Sequence, residues 1–130
     1  MQRVCVTACL FVALQGCGGS GSGPQTSRAA SPAVARQCLL TAQLRVVGGP
    51  RSAGDANAPN IELIATGRQA YAFLAFYDSS ARATKYAPMI RSNAQRFHGT
   101  VERHGKLTIL WVHGSKTLEG HRIRNCGLEK

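Results

Sequence analysis

The chain is 130 residues long and carries 16 Lys and Arg against 6 Asp and Glu, a formal net charge of +10. That length fits one domain, and 44% hydrophobic with only 17% charged residues excludes a solvated, disordered polyelectrolyte. The 14 glycines and 5 cysteines are unevenly spread, and their positions say more than their totals.

Met1-Gln2-Arg3 is a short positive segment, and Val4 to Leu14 is an apolar run of eleven residues. Such a run has signal-peptide length and falls well short of the roughly 20 residues that span a bilayer. Leu14-Gln15-Gly16-Cys17 follows. The order of positive segment, apolar run, small residue, Cys and Gly/Ser spacer resembles the lipobox of bacterial lipoproteins. The resemblance implies that residues 1–16 are a signal peptide, that Cys17 takes the lipid, and that the exported chain meets its membrane through that lipid. Gly18 carries no inner-membrane retention signal, so by the same resemblance a two-membrane cell would place the protein on its outer membrane.

Cleavage before Cys17 removes Cys5 and Cys9 and leaves Cys38 and Cys126. An even pair in an exported chain reads as a disulfide, here one that fastens the two ends of the domain; the alternative is two buried thiols. Gly18 to Arg36 (GGSGSGPQTSRAASPAVAR) has too little apolar surface to offset ordering entropy, so 17–36 reads as the lipidated Cys and a flexible tether. Gly16 to Gly21 matches G-x-G-x-x-G but lacks the flanking strand and helix that make the motif a dinucleotide site. No cofactor is expected.

The globular domain is then 37–130. Leu39 to Val47 alternates as a strand, with Leu40, Ala42, Leu44 and Val46 on one face. Gly48 to Asn60, with two prolines and little to bury, reads as a long surface loop. Ile61 to Thr66 is a second strand, Gly67-Arg68-Gln69 a turn, and Tyr71 to Tyr77 a third strand, apolar on both faces and therefore central. Ala83, Ala87, Ile90, Ala94 and Phe97 recur at helical spacing, which predicts an amphipathic helix over 79–96 with Asp78 as its cap. Pro88 inside it predicts a kink or two abutting helices.

Phe97 to Glu102 and Lys106 to Val112 are two further strands. Arg103-His104-Gly105 between them reads as a three-residue turn with a G1 bulge that pairs Glu102 with Lys106. That register places Phe97, Val101, Leu107, Ile109 and Trp111 on one face, toward the helix. Residues 117–126 fit either a short helix or an edge strand. The order β-β-β-α-β-β implies an α+β fold: a small twisted antiparallel sheet with one kinked helix on one face and its termini joined by the disulfide.

Candidates for chemistry are sparse. Past the signal segment the acidic residues are Asp55, Glu62, Asp78, Glu102, Glu119 and Glu129, and no two share the short motif that paired-carboxylate catalysis would suggest. His98, His104, His113 and His121 show neither i,i+2 nor i,i+4 spacing, so no metal site is expected. No hydrolase elbow or Walker loop occurs, and no nucleophilic cysteine remains once two are paired. The basic surplus is the remaining signal. Without Arg3 the mature chain holds 15 basic against 6 acidic side chains, a net of +9. Arg82, Lys85, Arg91 and Arg96 fall largely away from the apolar stripe of the helix. They and the 48–60 loop are the expected contact surfaces. The reading is an exported, lipid-anchored, non-catalytic binding or accessory module, with another envelope protein as its partner and no nucleic acid. A basic domain for anionic polymer or phospholipid is the competing class, and an unrecognised enzyme the third.

Overall fold

The computed structural model describes residues 28–50 and 59–130. The expected signal segment, the expected lipobox with Cys17, the expected tether as far as residue 27, and residues 51–58 lie outside the described residues. The elements run α1 (Pro32–Thr41), β1 (Arg45–Pro50), β2 (Ile61–Thr66), β3 (Tyr71–Phe76), α2 (Ser80–Gln95), β4 (Thr100–His104), β5 (Leu107–His113) and α3 (Leu118–Gly127). The strands form one antiparallel sheet in the order β1-β2-β3-β5-β4. The fold is α+β, as the element pattern predicts. Among the described residues it holds three helices rather than one, and they pack on both faces of the sheet.

One face carries Leu63, Ala65, Ala72, Leu74, Leu107, Ile109 and Trp111, buried with Ala35 and Leu39 of α1 and Ile123 and Cys126 of α3. The other carries Ala75, Tyr77, Val101 and Leu110 against Ala83 and Ile90 of α2. β3 lies in the middle of the sheet and buries side chains on both sides, as its doubly apolar sequence requires.

The expected strand over Leu39 to Val47 is corrected. Residues 32–41 are helical because Ser31 caps them, its Oγ accepting from the Val34 N–H, and because Pro32 occupies the first turn. Both signals stand in the sequence, inside a stretch whose small residues read as tether. Gln43 (φ 62) ends the helix, and β1 starts only at Arg45, with Leu44 and Val46 turned into the core. The expected loop is also shorter, since β1 runs on to Pro50 and pairs residue for residue with β2. Gly48 makes this possible. Its φ is +108, and a Cβ there would stand 2.2 Å from the Glu62 carbonyl oxygen, a backbone clash that only glycine avoids.

α2 falls where the periodicity puts it and continues through Pro88. Its cap is Ser79 rather than Asp78: the Ser79 Oγ accepts from the Arg82 N–H at 3.1 Å. Phe97 does not begin a strand. The chain turns through His98 (φ 57), β4 starts at Thr100, and Phe97 is left 39% exposed. The β4–β5 register is corrected as well. His104 pairs with Leu107 and Glu102 with Ile109, so the loop is the two residues Gly105-Lys106. Gly105 alone of the two has positive φ (+60), the type II′ pattern. A one-residue change in loop length turns alternate side chains over. Val101 therefore joins Leu110 toward α2, while Leu107, Ile109 and Trp111 face α1 and α3.

Residues 118–127 resolve the open choice as a helix, capped by Thr117 Oγ1, which accepts from the Gly120 N–H at 3.0 Å. Cys38 of α1 and Cys126 of α3 are joined in a disulfide with their Cα atoms 5.4 Å apart. The first described residues close the same corner: the Ala30 N–H donates to the Gly127 carbonyl at 2.9 Å and the Glu129 N–H to that of Arg28 at 2.7 Å.

Candidate functional site

The four cations expected to meet an anionic partner do not form one patch. Arg82 is only half exposed and is engaged locally. Its Nη1 donates to Asn60 Oδ1 at 2.8 Å and lies 3.9 Å from the Asp78 carboxylate. Its guanidinium stands over the stacked Tyr77 and Tyr86 rings, 5.9 and 5.8 Å from their centroids. Lys85 reaches over the Tyr86 ring at 5.6 Å. Burial pushes the Tyr77 hydroxyl pKa up, with the nearby Arg82 charge opposing it. Lys85, Arg91 and Arg96 are exposed, but at 3.6 residues per turn Arg91 projects about a third of a turn round α2 from the other two.

A denser grouping lies on the other side of the sheet. α1 and α3 meet at the disulfide and leave a shallow apolar groove of about 560 Å³, lined by Val34 and Cys38 from α1, Ala42 just after it, and Arg122 and Cys126 from α3. Beyond Ala42 and Arg122 it continues into a cleft of about 600 Å³ bordered by Arg45 at the start of β1, Arg68 in the β2–β3 turn, Arg122 and Glu119. The Glu119 carboxylate is already committed: its Oε1 accepts from the backbone N–H groups of Gln69 and Ala70 at 3.0 and 2.9 Å, which pins α3 to the β2–β3 turn. Three arginine residues thus border one cleft beside a carboxylate that is tied to backbone. Arg45, Arg68 and Arg122 are all exposed, and such planar donors suit phosphate or carboxylate groups.

His and carboxylate side chains converge at one further place, between β4 and α3. Both Glu102 carboxylate oxygens accept from Arg124, the Nε bond being 2.8 Å long, and His104 Nε2 lies 3.3 Å from Glu102 Oε2. His121 Nδ1 is 3.1 Å from Arg124 Nη1, and the guanidinium stands 5.2 Å from the centre of the Trp111 ring. The hydrogen bonds from Arg124, with a smaller one from His104, hold the Glu102 carboxyl below the usual carboxylate range against the opposing effect of burial. A carboxylate so held is a weak base and stays ionised at neutral pH, which is unsuited to proton transfer and suited to clamping α3 onto the sheet.

Because the folded pKa of Glu102 is depressed, its stabilisation is complete above the unfolded value of about 4.3 and is lost as pH falls through the folded value. Glu102→Gln is expected to cost about 1–3 kcal/mol at neutral pH, leaving Arg124 without its charge partner. The gap between wild type and variant should close as pH falls below about 4. Denaturant midpoints across that range measure it, and a gap constant with pH would contradict the assignment.

Among the described residues no group of three or more His, Cys, Asp or Glu side chains could hold a metal ion. No described helix is long and apolar enough to cross a membrane. No protein-family model, no curated protein and no solved structure matches the chain. The arginine cleft escapes sequence reading because Arg45, Arg68 and Arg122 belong to three different elements. No periodicity links them, and only the packing of α1 and α3 on one face brings them together.

Proposed function

We propose that this chain is an exported envelope lipoprotein, held to the membrane through a lipid on Cys17, whose disulfide-closed domain acts as a non-catalytic binding module. The observation that carries the reading is the Cys38–Cys126 bond. It joins the two cysteines that cleavage before Cys17 would leave, and a disulfide of this kind belongs to an oxidising, exported setting. The n-region, apolar run and LQGC motif supply the address. The partner fits either of two classes, another envelope protein or an anionic phospholipid or polymer of the envelope; the basic surplus and the arginine cleft favour the second.

Growth with labelled palmitate tests the anchor. Label is expected on the protein in the membrane fraction and is expected to vanish in Cys17→Ser. An unlabelled wild-type protein, or label that survives in Cys17→Ser, overturns the reading.

A further inference from the structure

The chain joins the fold at one corner. Ala29 pairs with Leu128, next to the end of α3 and the disulfide. Arg28 is eleven residues on from Cys17, and a stretch of that length reaches at most about 40 Å. A membrane holding a lipid on Cys17 therefore lies within that distance of the α1–α3 corner. α2 is on the far side of the sheet.

The α1–α3 face has the chemistry of an interface with such a membrane. Arg45, Arg68 and Arg122 border one cleft, and the Glu119 carboxylate among them is tied to the backbone of the β2–β3 turn. Beside the cations stand two large exposed aliphatic side chains, Val34 at 61% and Leu118 at 65% exposure. Val34 lines the groove that shares Arg122 with the cleft. Leu118 is one turn before Arg122 on the same side of α3. Guanidinium groups that can take lipid phosphates, flanked by aliphatic groups at the depth of the acyl boundary, are the two parts of interfacial binding.

We propose that the α1–α3 face docks on an anionic phospholipid bilayer, with Arg45, Arg68 and Arg122 on headgroup phosphates and Val34 and Leu118 at the acyl boundary. The α2 face then points away from the membrane, toward any protein partner. The location of the membrane rests on the anchored reading above; the binding chemistry of the face does not.

The test uses the chain begun at Gly18, without signal or lipid. Every described helix and strand and the disulfide lie within 28–130, so this chain keeps all of the described fold. Its partition is measured onto phosphatidylglycerol/phosphatidylcholine vesicles and onto phosphatidylcholine alone, with thermal unfolding as the check on folding. Binding is expected on the anionic vesicles only, weakening as salt rises. R45Q/R68Q/R122Q is expected to bind about a hundredfold more weakly, each cation at such a surface being worth about fivefold. K85Q/R91Q/R96Q removes the same charge from α2 and should bind within about threefold of wild type. V34S/L118S should lose binding on anionic vesicles with both sets of cations intact.

Absence of binding by the unlipidated wild-type chain overturns the proposal. So does an equal loss in the two charge variants, which would mean diffuse attraction with no docking face, or a loss confined to the α2 variant. Vesicle binding through the cleft in a protein that takes no palmitate would overturn the anchor and leave this face standing. Palmitate on Cys17 without vesicle binding would do the reverse.

Discussion

Removing the Cys38–Cys126 bond, by reductant or by Cys126→Ser, lowers the folding free energy by about 4–5 kcal/mol. The bond closes a loop spanning a sequence separation of 88, and the chain-entropy model assigns a loop of that size this much restriction of the unfolded state. Against a total of about 5–15 kcal/mol for a domain of this class, the reduced protein should lose about a third or more of its stability and unfold at a clearly lower denaturant concentration. The native contacts concentrate the effect. The disulfide, the Ala29–Leu128 bridge and the α1–α3 packing meet at one corner, so its loss frays the same face that carries the arginine cleft. Urea titrations with and without reductant measure it, and a midpoint unchanged by reductant would mean that the corner holds without the bond.

Trp111→Ala is expected to cost about 3–5 kcal/mol, the range for emptying the volume of a large aromatic side chain in a core. Trp111 is 1% exposed, lies beside Ile109 and Leu107 on the α1–α3 face of β5, and carries the Arg124 guanidinium over its ring. Its indole Nε1 has no hydrogen-bond partner among the described residues. Trp111→Phe therefore gives up volume but no hydrogen bond and should cost about 1.5 kcal/mol or less. Equilibrium unfolding of the two variants separates the cases: a large loss in both would point to a role for the indole N–H, and a small loss in both would place the ring outside the core.

Trp111 also shows where sequence reading reached its limit. Its burial follows from its place in an apolar strand, but the side of the sheet it faces depends on whether the β4–β5 loop has two residues or three. Arg103-His104-Gly105 and Gly105-Lys106 both suit a glycine turn, so local sequence does not decide between them, and the choice inverts a face. β2, β3 and α2 were legible because each shows a period of its own kind, two or about 3.6, over enough residues. α1 was not. Ser31-Pro32 is a sound helix start, but Ala33, Val34 and Ala35 continue the small-residue composition before them, and Leu39 packing beneath the sheet and the bond at Cys38 make the segment worth ordering.

The candidate residues divide in the same way. Cys38 and Cys126 were identifiable by accounting, once each of the other cysteines is assigned to the expected signal segment or lipobox. The cations of α2 were identifiable by helical phase, yet Arg82 is held by Asn60, Asp78 and two tyrosine rings, contacts that no single-helix pattern contains. Arg45, Arg68 and Arg122 form a group only through tertiary packing.

The mass of the mature protein, extracted from membranes and kept free of reductant, bears on both the address and the covalent closure of the fold. A chain that begins at a diacylglyceryl-modified Cys17 and lacks two hydrogens for the Cys38–Cys126 bond is the expected species. A chain that keeps residues 1–16, begins elsewhere, or shows free thiols at Cys38 and Cys126 would contradict it.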